Sequence, residues 1–422
     1  MAYKYDVKTS IKDNKSMVNL TICHILFAII NLFTSTFLVA HIYSLTGGIY
    51  QYIRHVALFE MSAYIFMLIT LRLLSIVVDK TNRIGVYIVS NIINAALVIL
   101  LIFLGKQLAS MVILAGALRG VAHGAYYASY NVLKHEMVSR KTMKKYTAVI
   151  QIFSQLVSIV FPIVLGSLIE ISTFSMVAIY VFILAVIQVV LCCFIKAKKP
   201  DGSNFNLKEY KKKLDKNPEL KARIKFLYFT SILYGATTVA NILCDVCIML
   251  QFGSTFSFGA ITSVLAFINI ASIIVVSKLT VPGKRSLMFI FVSIIPILGV
   301  VLFIAMPNIT TVIIYNILTE ITHAIYKVIF DHYRNSSLKE FGFYEDIAEH
   351  QTMVEDILQI VRIITYCLLF AISFIESVVV FKISLVIFTL SFSGVTLMLM
   401  IYEKKFCKNE EIKKALDVDK TK

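Results

Sequence analysis

Apolar residues come in runs of about 20, separated by short polar stretches, along almost all of this 422-residue chain. A helix of that length crosses roughly 30 Å of hydrocarbon at about 1.5 Å per residue. The pattern predicts about twelve transmembrane helices, at 17–45, 55–78, 84–105, 109–132, 147–169, 173–195, 225–251, 257–277, 286–306, 309–331, 352–374 and 378–402. The first run is longer than the core of a signal peptide and lacks a small-residue cleavage site, so it reads as a retained span. One span breaks the apolar pattern on a single side. Asn316, Glu320, His323, Lys327 and Asp331 recur at steps of four, three, four and four, which puts all five on one helix face. Ionisable groups cost several kcal/mol in lipid, so this face must look onto protein or water.

The one long polar stretch divides the spans six and six. The expected organisation is a six-helix bundle over 1–195, a basic linker over 196–224, a second bundle over 225–403 and a tail over 404–422. In the linker, Leu207, Tyr210 and Leu214 with their lysine neighbours suggest a short helix lying on the membrane surface. The halves also share features. His123-Gly-Ala-Tyr126 is echoed 200 positions on by His323-Ala-Ile-Tyr326, and Ile169-Glu170 by Ile375-Glu376. The expected fold is therefore all-α, with two pseudo-symmetric bundles.

Composition agrees. With 58% hydrophobic and only 16% charged residues, the chain is far from a soluble globule, whose charged share is roughly 25%. The net charge of +16 is not spread like a nucleic-acid footprint. Lys and Arg crowd alternate connections: the N-terminus, Lys80 and Arg83, Lys134 to Lys145, the linker, Lys278 to Arg285, and the C-terminal tail. That asymmetry predicts cytoplasmic termini and a cytoplasmic linker in the cell membrane, with no nucleic-acid partner. Of seven cysteines, six fall in or at the ends of apolar spans, which argues against a disulfide framework. Cys244-Asp-Val-Cys247 has metal-like spacing, but buried cysteines usually act as small hydrophobes. No cofactor is expected. The sequence carries no phosphate loop, zinc-protease motif or nucleophile elbow, so neither a built-in ATPase nor an enzyme is indicated.

Polar groups concentrate in every third span: His24 and Asn31 in the first, Arg119 and His123 in the fourth, Asn241 and Asp245 in the seventh, and the stripe in the tenth. In these features the chain resembles the major facilitator superfamily of secondary transporters. Ser75-Ile-Val-Val-Asp79-Lys-Thr-Asn82-Arg83 is similar to that family's second-connection signature, Gly-x3-Asp-x2-Gly-Arg, with two glycines replaced. Leu118-Arg119-Gly120-Val-Ala-His123-Gly124 is similar to its fourth-span motif, and Phe161-Pro162-Ile-Val-Leu165-Gly166 to a reduced fifth-span motif common in exchangers. The resemblance implies two six-helix halves, alternating access by rocking, a cavity walled by the four polar helices, and a cytoplasmic gate at Asp79 and Arg83.

Within that frame Arg119 calls for an acidic or ligand partner at mid-membrane depth, and Asp245 and Glu320 are the acids expected to supply it. Glu320 is the first choice for a proton carrier and Asp245 the second, with Arg362 as a cation that could neutralise Glu320 instead. His123 and His323 are packing residues or relays. Tyr126 and Tyr130 form an aromatic wall or a plain helix contact. Asn31, Asn269 and Asn316 offer hydrogen bonds along the pathway, with Lys327 beside them. The expected activity is secondary transport of a small organic solute, coupled to protons and directed towards efflux, by a monomer in the lipid bilayer. The alternative is a transport-inactive relative that senses a ligand or scaffolds a complex.

Overall fold

The computed structural model describes residues 7–80, 83–138, 143–196, 206–279, 286–343 and 346–407. Every regular element among them is helical. The first half contains α1 (Val7–Leu32), α2 (Leu38–Leu45), α3 (Ile49–Lys80), α4 (Arg83–Leu104), α5 (Val112–Met137), α6 (Met143–Ile171) and α7 (Phe174–Cys193). A short α8 (Leu207–Asp215) precedes α9 (Pro218–Phe252), α10 (Thr255–Leu279), α11 (Ser286–Ala305), α12 (Ile309–Glu340), α13 (Ile347–Ile372) and α14 (Val378–Tyr402). A π-helical turn at Phe33–Phe37 joins α1 to α2, giving one span over Lys15–Leu45. Its cause is local. Ser35 Oγ donates to Asn31 O at 2.6 Å and Thr34 Oγ1 to Ile30 O at 3.0 Å, so hydroxyls compete for the carbonyls of the preceding turn.

Eleven helical runs among the described residues are long and apolar enough to cross a membrane. α13 matches them in length at 26 residues but carries Glu355, Asp356 and Arg362. Apolar side chains left exposed along α6, α7, α10 and α11, such as Ile152, Ile183, Phe267 and Phe291, are those a bilayer would cover.

The chain forms two compact units: Met1–Asn204 with Gly253–Ser263, and Phe205–Phe252 with Val264–Lys422. In unit 1 the tightest packing joins α3 and α5. Gly116, Gly120 and Gly124 recur every fourth residue on α5, and their bare faces lie against the α3 backbone at Phe59, Ala63 and Met67. A Cβ at Gly120 would overlap the Ala63 carbonyl oxygen, so only glycine permits this approach. Beside it, Leu20, Cys23, Phe27, Tyr87, Tyr126, Tyr130, Leu133 and Cys192 form a buried core cluster.

In unit 2, α8 does not offer its apolar side to a membrane surface as its sequence suggests. Tyr210 and Leu214 are buried, packed with Leu220, Ile224 and Leu338. Asn206 caps the helix by accepting from the Lys208 and Glu209 amides, which fixes where it starts. Three polar contacts then pin it to the start of α13: Asn206 N to Glu349 Oε1 at 3.1 Å, Tyr210 Oη with His350 Nδ1 at 3.1 Å, and Lys213 Nζ to Asp346 Oδ1 at 2.9 Å. A buried contact site was the cheaper partner for this amphipathic face.

The candidate functional site

Each unit places an ionisable cluster at mid-span. In unit 2 the cluster is built on α12. A capping box starts that helix: the Asn308 side chain accepts from the Thr311 amide, and the Thr311 hydroxyl accepts from the Asn308 amide. Its phase then sets the polar stripe. Asn316 is buried and donates to Val312 O at 2.8 Å. One turn on, Glu320 Oε2 accepts from Asn269 Nδ2 of α10 at 2.8 Å and lies 4.0 Å from His323 Nδ1. Lys327 is exposed, and Asp331 pairs with Arg334 of its own helix at 2.9 Å. Among the described residues no Lys or Arg forms an ion pair with Glu320. Arg362 instead donates to Gln359 Oε1 at 3.3 Å. Asp245 is half-buried on α9 between Cys244 and Cys247, whose thiols are buried. No group of three metal-ligating side chains occurs among the described residues.

In unit 1 Arg119 has an acidic partner that the sequence reading did not name. Arg119 Nη1 donates to Glu60 Oε1 of α3 at 2.7 Å, with side-chain exposures of only 12% and 4%. The Phe59 ring lies 5.3 Å from the guanidinium carbon. The glycine ridge of α5 makes this pair possible, because Arg119 and Glu60 each neighbour a residue of the close backbone contact. Glu60 was missed in the sequence. The signal was present: it is the lone acid within the second apolar run, level with the one arginine of the fourth.

His123 follows Arg119 by one helical turn and is buried, 5.2 Å from Phe27 ring to ring. Tyr126 and Tyr130 belong to the packed core of unit 1. Tyr126 stacks on Phe27 with ring centroids 3.5 Å apart and shares a 2.8 Å hydrogen bond with His24 Nδ1. Tyr130 stacks on His24 at 4.5 Å. Asn31 sits beside the π turn, its Oδ1 buried with no hydrogen-bond partner among the described residues. At the second connection Arg83 is buried, and its Nε donates to Val78 O at 3.4 Å. The side chain of Asp79 lies outside the described residues, as does Asn82.

The internal repeat has a structural counterpart. Tyr326 in α12 is fully buried and shares a 3.1 Å hydrogen bond with Thr237 of α9, as Tyr126 in α5 does with His24 of α1. In both units the tyrosine three residues after the histidine ties the fourth span to the first.

Residues 20–332 match the family model described as Major Facilitator Superfamily. The chain belongs to the major facilitator superfamily. It is accordingly an integral, multi-pass membrane protein of a secondary-transporter family, and not an enzyme. Solved structures agree on the fold. A variant of the nucleoside transporter NupG superposes with a TM-score of 0.65 at 14% identity, covering 92% of this chain and 99% of that one. A POT family transporter in complex with 5-aminolevulinic acid superposes at 0.70 with 10% identity, covering 92% and 96%, and the same transporter family with a thioalcohol-conjugated peptide gives the same values. No curated protein sequence matches the chain. For this superfamily member the likeness fixes the architecture and leaves the solute to the site itself.

Proposed function

We propose that the protein moves a small organic solute across the cell membrane by alternating access, driven by the proton gradient and in the direction of efflux, with both termini and the α8 linker in the cytoplasm. The observation that carries this reading is Glu320. It sits at the middle of a spanning helix, held by one neutral amide, and among the described residues no Lys or Arg forms an ion pair with it. A mid-span carboxylate that is not ion-paired is costly in hydrocarbon unless it meets water or takes up a proton. That instability is useful in a carrier, because the charged and neutral forms favour different surroundings.

Asn316, His323 and Lys327 extend the pathway along α12, with Asp245 on α9 and Arg362 on α13 as further polar groups of unit 2. In unit 1 the corresponding polar groups are Arg119, His123, Tyr126, Tyr130 and Asn31, with Asp79 and Arg83 as the cytoplasmic gate. The Lys and Arg asymmetry between alternate connections supports the orientation. The test is flux in proteoliposomes with an imposed pH gradient, scanned over a broad panel of small organic solutes. Solute movement that follows the gradient supports the reading. A panel without a single gradient-driven solute contradicts it.

A further inference from the structure

At the α8 end of unit 2 the acids hold cations of the protein itself, while a row of lysines holds no acid. Asp346 pairs with Lys213 at 2.9 Å and Asp215 with Lys221 at 2.6 Å. Glu219 and Glu340 pair with Arg223 at 3.0 and 2.9 Å, and Glu209 lies 3.7 Å from Lys213. Lys208, Lys211, Lys212 and Lys216 are exposed. Among the described residues none of these four forms an ion pair.

Helical phase keeps the row outward. Tyr210 and Leu214 mark the docked side of α8, packed with Leu220, Ile224 and Leu338. Lys208 and Lys212, four residues apart, lie on the opposite side, and Lys216 continues the row at the C-cap. Docking therefore buries the apolar face and presents the basic one.

Docking also sets the depth of the row. Leu220 and Ile224 belong to the first two turns of α9, and Tyr228, which packs on the same cluster, lies inside the apolar run at 225–251. That holds α8 where hydrocarbon gives way to headgroups, a layer about 5–8 Å deep on each side of a bilayer. The exposed side of α8 has neither an arginine fork nor an aromatic ring, so it lacks the means to read or stack bases. Flexible lysine stems carrying compact ammonium charges suit a fluid layer of phosphodiesters instead.

We propose that Lys208, Lys212 and Lys216, with Lys211 beside them, form a binding surface for anionic phospholipid headgroups. The helix then meets the membrane through its charged side while its apolar side stays fixed to unit 2. Headgroup binding adds to the contacts that hold α8 in place. It depends neither on the solute nor on the direction of transport.

The test compares full-length protein at neutral pH in nanodiscs of phosphatidylcholine alone and of equal parts phosphatidylcholine and phosphatidylglycerol. Hydrogen exchange over residues 207–215 is the readout. In the anionic nanodiscs exchange is expected to slow by about fivefold for each lysine engaged. The triple variant Lys208→Gln, Lys212→Gln and Lys216→Gln leaves the docked side untouched, so it should match the wild type in phosphatidylcholine and gain no protection from phosphatidylglycerol. Wild-type protein at about 1 M salt, where charges act over only about 3 Å, should lose the lipid effect as well, and this arm needs no substitution. Equal exchange in the two lipids, or a lipid effect that persists in the triple variant or at high salt, overturns the proposal.

Discussion

Asn269 Nδ2 donates to Glu320 Oε2 at 2.8 Å, joining α10 to the polar face of α12. A hydrogen bond to a charged group is worth about 1.5–3 kcal/mol, so this amide sets how readily the carboxylate changes state. Asn269→Leu should displace the pH profile of flux while leaving the helices assembled. The profile is read from initial rates in proteoliposomes at a series of internal pH values. A profile superimposable on the wild type would remove Asn269 from the account.

The Glu60–Arg119 pair predicts a marked non-additivity. Glu60→Leu alone removes the buried carboxylate that Arg119 pairs with in unit 1 and should cost about 3–5 kcal/mol. Combining it with Arg119→Met replaces both charges by apolar groups and should recover most of that loss. Thermal unfolding of the two single variants and the double variant in one detergent gives the comparison.

Gly120 predicts a steric effect. Gly120→Ala places a methyl group on the Ala63 carbonyl oxygen, and the α3–α5 contact must open, at about 1–3 kcal/mol. Gly48→Ala is the control. It meets nothing within 4 Å, and its effect should stay within about 0.5 kcal/mol. Equal melting temperatures for the two variants would contradict the packing described.

The docking of α8 carries a pH signature outside the spans. Burial, reinforced by the charge of Arg334, holds His350 at about 3, down from 6.5. The docked ring is therefore neutral. An undocked ring takes a proton as pH falls through 6.5, so docking is fully supported above that value and weakens progressively towards 3. Glu349 is raised above 4.5, mainly by burial, and contributes in the opposite sense, favouring docking in acid and losing that effect as pH rises. Hydrogen exchange over residues 207–215 should speed up in mild acid, and His350→Phe should flatten that response.

Much of this was legible in the sequence. The lengths of the apolar runs gave the spans, because hydrocarbon thickness dictates helix length whatever the tertiary contacts. The stripe on α12 could be read because helical phase alone places Asn316, Glu320 and His323 on one side. Partners across helices were harder. Arg119 announced the need for an acid, but which acid depends on how closely two helices approach. The every-fourth-residue glycines of α5 set that distance, and in the sequence only Gly120 and Gly124 stand within a family motif. The apolar side of α8 was equally visible. Its destination was not, since a membrane surface and the helix ends at Leu338 of α12 and His350 of α13 both suit Tyr210 and Leu214.

Proton-linked transport through Glu320 is tested most directly by comparing wild type with Glu320→Gln in proteoliposomes under an imposed pH gradient. The substitution keeps the size of the side chain and its contact with Asn269 while removing the titrating group. The account predicts that gradient-driven solute flux disappears in the variant while its melting temperature remains close to that of the wild type. Undiminished gradient-driven flux in Glu320→Gln would contradict it.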